Sequence, residues 1–255
     1  MQITNNIVIR ILNKSLDPLM KAYGFMRKGR VYYKLSGDVL FLLGTKAVGS
    51  YFAAVTHFPS HAFTLTEGFW INGVDYWNVK VNLTNPNIIL PDLSVMNYCF
   101  HVQNNRSGTI HRKQQHPYRN AEHNDLQRLS ENEAERNDLW ILPEDEAEWP
   151  EFLEEMHSQI HACFLDKHED LLRLDKLEEY SIERLHQYNI DCGFTDDKPF
   201  EPGVYGGNFN HYLDYAVLFY KKYGSIEKYQ KLSARLNEWR TVNKNYFPEL
   251  KRIEL

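Results

Sequence analysis

The spacing of apolar residues changes period twice along this chain, and that change constrains the fold more than any motif does. Over the first two dozen residues Val8, Leu12, Leu16, Leu19 and Tyr23 recur at steps of three and four, the repeat of one helical face. Gly24 follows at once, where a residue ending a helix often takes a positive φ that only glycine adopts cheaply. Phe25 then falls where a Schellman cap closes over Met20. From 30 to 103 the pattern becomes strand-like. RVYYKL, a turn at Ser36-Gly37-Asp38 and VLFLLGTKA read as a hairpin. YFAAVTHF at 51–58 reads as a further strand, Asn72-Gly73 is a type I′ turn signal, VKVNLT alternates, and VMNYCFHV is another candidate strand.

Residues 103–138 are polar with no continuous apolar period, which predicts a long loop or mobile insertion. Helical spacing returns after Pro150, a residue the first helical turn tolerates, with Phe152, Met156, Ile160 and Cys163 on one face. A break falls near Asp166, and Leu171, Leu174 and Leu177 extend the pattern. Ser181 is placed to cap a short helix, and 191–207, rich in Gly, Pro and Asp, reads as a connector. At the end, Tyr212, Ala216, Phe219 and Tyr223 line one helix that stops at Gly224. Ser225 caps a second, with Ile226, Tyr229, Leu232, Leu236 and Trp239 inside. The expected fold is α+β: an N-terminal helix packed on a mainly antiparallel sheet, followed by C-terminal helices ending in a helical hairpin. A single domain over 1–255 is expected, with helix and sheet in 1–103, a polar insertion in 104–148 and a helical part in 149–255.

Composition removes several function classes. A hydrophobic content of 43% is ample for a packed core, and a net charge of −5 disfavours non-specific nucleic-acid binding, which draws on clustered cations facing phosphates. Cys99, Cys163 and Cys192 are far apart and odd in number, a usage that fits a reducing compartment. No apolar run is long enough to span a bilayer and Arg10 and Asn13 interrupt the first one, so a cytoplasmic protein with no membrane association is expected.

Candidate sites are few. Arg27, Lys28 and Arg30, with Lys21 one turn back, follow a helix C-terminus, where cations favour the negative end of the macrodipole. The alternative is an anion site, with Arg30 best placed at the entry to the first strand. His101, His111, His116 and His123 fall in the polar segment, while His157 and His161 stand one helical turn apart. The latter pair reads HSQIH, without the glutamate of HExxH, so no metal site is expected. No nucleophile elbow, phosphate loop or dinucleotide turn is present; PGVYGGNF at 202–209 precedes a helix but reads as a connector capped by Asn208. Acidic residues crowd 131–179, and an acidic flank steers a basic partner. Glu154, Glu155, Glu178 and Glu179 are the candidate contacts, with Trp140 and Trp149 as anchors unless they pack back onto the sheet.

The leading helix with YGFMRKGRVYYKL, the GDVLFLLG strand, DLWIL at 138–142 and YLDYAVLFYKKYGSIEKYQKL together resemble an uncharacterised bacterial family, the domain of unknown function numbered 4304. The likeness covers most of the chain. Two features depart from it: Gly44-Thr45-Lys46 stands where relatives carry a glutamine, and the His-rich stretch 101–123 is not part of the pattern. No catalytic residue transfers, since the family has no assigned active site. The resemblance implies an immunity-type protein of the kind found beside toxins. Residues and resemblance together point to a non-enzymatic binding protein without cofactor that covers a basic partner protein. The alternatives are a small-molecule or nucleotide-processing enzyme using the basic and histidine residues, or a structural subunit of an assembly.

Overall fold

The computed structural model describes residues 3–47, 61–74, 107–109, 140–183, 186–187, 190, 199 and 209–243. The fold is α+β, as the change of period predicts. Contacts divide the chain into two compact units: Met1–Phe69 with Gly108–Glu169, and Trp70–Ser107 with Asp170–Leu255. The backbone thus passes from one unit to the other three times.

In the first unit, α1 (Asn5–Ala22) buries Val8, Leu12, Leu16 and Met20, a line of four-residue steps along one face. Leu19 and Tyr23, expected on this face, are only half-buried, because the stripe runs to Met20 instead. The helix ends as the sequence predicts. Gly24 sits at φ +79°, the Phe25 N–H donates to the Met20 carbonyl (2.9 Å) and the Gly24 N–H to that of Lys21 (3.0 Å), the pair of bonds that defines a Schellman cap.

The basic turn is itself part of the sheet. β1 (Met26–Lys28) pairs antiparallel with β2 (Val31–Ser36) around Gly29-Arg30, with Gly29 at φ +63°. β2 pairs in turn with β3 (Val39–Ala47), from Ser36 opposite Val39 to Val31 opposite Gly44, which is the predicted hairpin. β4 (Ala62–Ile71), β5 (Ser107–Thr109) and β6 (Trp140–Ile141) complete a sheet of order β1-β2-β3-β4-β5, with β6 paired antiparallel to the start of β4. β3 has neighbours on both edges, and its run from Val39 to Thr45 is buried on both faces, as an unbroken apolar stretch requires. β5 places a short strand within the polar segment expected to be loop. The strands expected at 51–58, 79–84 and 95–102 lie outside the described residues, as does most of 103–138.

α2 (Trp149–Ile160) carries Pro150 in its first turn as expected and buries Phe152, Met156 and Ile160. It then widens into a π turn over His161–Leu165, where the Asp166 N–H donates to the His161 carbonyl (2.9 Å). The extra residue in that turn slips the face by one. Phe164 takes the buried position expected of Cys163, which is half-buried.

The second unit contains a 3-10 turn at Asp170–Leu172, α3 (Leu174–Glu178) and a π turn at Glu179–Glu183. It ends in α4 (Phe209–Tyr223) and α5 (Ile226–Asn243). Of the leucines expected to share a face only Leu177 is buried; Leu174 is 44% exposed because the chain is not one helix there. Ser181 does not cap a helix. It is buried inside the π turn and donates to the Leu177 carbonyl. α4 and α5 form the predicted helical hairpin across Gly224 at φ +95°, burying Tyr212, Ala216 and Phe219 on one helix and Leu232, Leu236 and Trp239 on the other. Ile226, expected inside, is 69% exposed in the first turn.

Candidate functional site

Arg27 is engaged within its own unit. Its guanidinium forms a salt bridge with Asp17 of α1 (Nε to Oδ1, 2.8 Å) and donates to the Gly29 carbonyl (3.2 Å). The same Asp17 oxygen accepts from the Tyr32 hydroxyl (2.9 Å), and burial together with that bond and the Asp17 charge pushes the Tyr32 phenol well above its ordinary range. One carboxylate on the helix therefore ties both strands of the basic hairpin to α1. Lys28 and Arg30 are exposed, at the end of β1 and in the hairpin loop, and the Arg30 carbonyl accepts from the Thr45 N–H (3.1 Å).

The acidic residues fall in both units. In the first, Glu144, Asp145, Glu146, Glu148, Glu151 and Glu154 are all exposed along the start of α2 and the turn before it, and Glu155 is half-buried. No Lys or Arg occurs from 140 to 166. In the second, Glu178 accepts from the Tyr220 hydroxyl (2.6 Å) and from Lys228, and Glu179 pairs with Lys176 (2.6 Å). Burial would raise the Glu178 carboxyl, but the Lys228 and Tyr220 hydrogen bonds and the Lys228 charge outweigh it and hold the group below its ordinary value.

The tryptophans pack inward. Trp140 is fully buried, stacked on Phe63 (centroids 6.4 Å apart) and edge-on to Phe152 (5.8 Å). Trp149 is half-buried and donates its indole N–H to the Pro143 carbonyl (2.9 Å).

Three imidazoles of the first unit, those of His157, His161 and His168, have polar partners within it. His157 Nε2 lies 2.8 Å from the Ser15 hydroxyl, and His161 Nδ1 lies 3.3 Å from the Tyr23 hydroxyl and 3.9 Å from Asp166. Burial, then the neighbouring His161, lowers the His157 imidazole below its ordinary value, with Ser15 opposing. His168 is almost wholly buried at 1% exposure. Its Nδ1 is 2.6 Å from the Leu165 carbonyl and its Nε2 is 2.9 Å from Lys34 Nζ, while Tyr23, Phe25 and Phe41 stand edge-on around its ring. Sequence reasoning passed over His168. The signal is present in the spacing, since Phe152, Met156, Ile160, Phe164 and His168 continue one line of four-residue steps through the π turn.

Among the described residues no His, Cys, Asp and Glu cluster could hold a metal ion, and no helix is long and apolar enough to cross a membrane. His101, His111, His116 and His123 lie outside the described residues. Set against family models, curated proteins and solved structures, the chain matches none of them.

Proposed function

We propose that this chain is a non-enzymatic binding protein that covers the surface of a basic partner protein, in the manner of an immunity-type inhibitor. The observation that supports this reading is the exposed acidic edge from Glu144 to Glu154, uninterrupted by any cation. Such an edge raises association rates with a basic surface and loses its influence over a Debye length of about 8 Å at physiological salt. Glu178 and Glu179 contribute less to it, because each already has a basic neighbour in its own unit. The family resemblance adds the toxin-associated context. A small-molecule enzyme built on the basic hairpin is disfavoured by the engagement of Arg27 with Asp17.

The test is co-expression with the products of the neighbouring reading frames, scored for complex formation and rescue of growth. A complex that rescues growth supports the reading. With the triple variant Glu148→Lys, Glu151→Lys, Glu154→Lys, rescue should weaken and the association rate should lose its salt dependence. Unchanged rates in that variant would refute the acidic edge as the recognition surface.

A further inference from the structure

Of the methionines described in the first unit, Met20 and Met156 are fully buried and Met26 is 56% exposed. Met26 opens β1, a strand of three residues that is exposed along its whole length and pairs with β2 alone among the described strands. Its side chain therefore contributes little to the core, and a polar group added to it stays in water. Tyr33 stands directly opposite across the ladder, and its hydroxyl is directed at the thioether, Oη to Sδ 3.9 Å. A thioether sulfur is a weak acceptor, so this contact contributes little as it stands. The separation nevertheless leaves room for one oxygen carried on the sulfur to come within the roughly 2.5–3.0 Å of an O–H···O hydrogen bond. The exposed sulfur thus combines a route to solvent with a donor placed for its oxidised form.

We propose that Met26 is a redox-modification site, oxidised to the sulfoxide by hydrogen peroxide, with the Tyr33 hydroxyl donating to the new oxygen. A sulfur lone pair forms the S–O bond to one peroxide oxygen as the O–O bond breaks, and the electron pair of that bond stays with the leaving oxygen. The proton of the transferred hydroxyl moves to the leaving oxygen, which departs as water. The thioether is oxidised by two electrons and the peroxide is reduced by two. The change exchanges a flexible apolar side chain for a polar one beside Arg27 and Lys28, and leaves the β1–β2 ladder in place. The product remains at the surface, where a methionine sulfoxide reductase restores the thioether as two thiols become a disulfide and the oxygen leaves as water.

The experiment treats the full chain with hydrogen peroxide at pH 7 and follows each methionine by peptide mass spectrometry. Met26 should gain oxygen at least about tenfold faster than Met20 and Met156, which react only when the fold opens around them. In urea the three rates should converge. Equal rates in the folded protein, or an advantage for Met26 that persists in urea, overturn the proposal. The part played by Tyr33 is read from the shift in urea midpoint on oxidation, compared between the wild type and Tyr33→Phe, with Met26→Leu correcting for oxidation elsewhere in the chain. The Met26-dependent shift should be more favourable in the wild type, where the new oxygen has a donor. Equal shifts overturn Tyr33 as that donor. Loss of the folded circular dichroism signal on oxidation of the wild type but not of Met26→Leu overturns a modification that the fold accommodates.

Discussion

Replacing Trp140 by alanine separates a packing role from a binding role. The side chain is fully buried, stacked on Phe63 and edge-on to Phe152, and its backbone lies opposite Phe63 in the two-residue β6. An indole of this kind buries roughly 200 Å², about 5 kcal/mol at 25 cal/mol per Å², and each aromatic pair adds roughly 0.5–1.5 kcal/mol. Measured costs of such truncations are about 3–5 kcal/mol, because neighbours relax partly into the space. Trp140→Ala should therefore lose about 3–5 kcal/mol, a large fraction of the roughly 5–15 kcal/mol that holds a domain folded. Trp149→Ala should lose less, about 2–3 kcal/mol, since it gives up one hydrogen bond and half a buried ring. Urea unfolding followed by circular dichroism measures both. A Trp140→Ala loss under about 1 kcal/mol, or a smaller loss than Trp149→Ala, would refute the packing argument and return Trp140 to consideration as a surface anchor.

Gly24→Ala should cost about 1 kcal/mol in the same assay. The φ of +79° penalises any Cβ by about 1–2 kcal/mol, the stiffer unfolded chain returns about 0.4–1, and the nearest atom at 3.8 Å adds no clash. A neutral result would show that the helix end does not require the left-handed conformation. Stability should also fall on acidification in two stages. His157, lowered below 6.5, contributes fully above that pH and loses its contribution as pH falls through its folded value; Glu178, lowered below 4.5, does the same at the more acid end. His157→Gln should flatten the first stage and Glu178→Gln the second, and a variant that leaves the acid limb of the stability–pH curve unchanged would remove that group from the account.

Glycine-marked features were legible in the sequence because their physics is local. The stop at Gly24, the hairpin at Gly37 and the helical hairpin at Gly224 each need a positive φ, and each is where the sequence placed it. Errors arose where a turn departed from the ideal period. An α-helix advancing 3.6 residues per turn puts Cys163 inside, whereas the π turn brings Phe164 round instead. Ser181 looked like a cap because serine favours that position, but a buried hydroxyl is equally satisfied by the Leu177 carbonyl. The basic cluster's partner, Asp17, lies ten residues away on α1 at a position no local rule singles out. The Lys34–His168 pair spans 134 residues, a distance over which no periodicity carries information.

The division of the first unit into 1–69 and 108–169 has a consequence for synthesis on the ribosome. Ser15 must wait for His157, 142 residues later, and β4 for β6, so the N-terminal helix and hairpin emerge long before the residues that close over them. Until then β3 has α1 and its neighbouring strands beside it but not His168, whose ring meets Phe41, for an interval of roughly 6–25 seconds at typical elongation speeds of roughly 5–20 residues per second. A premature stop before residue 108 therefore leaves the first unit without the whole of the segment that completes it.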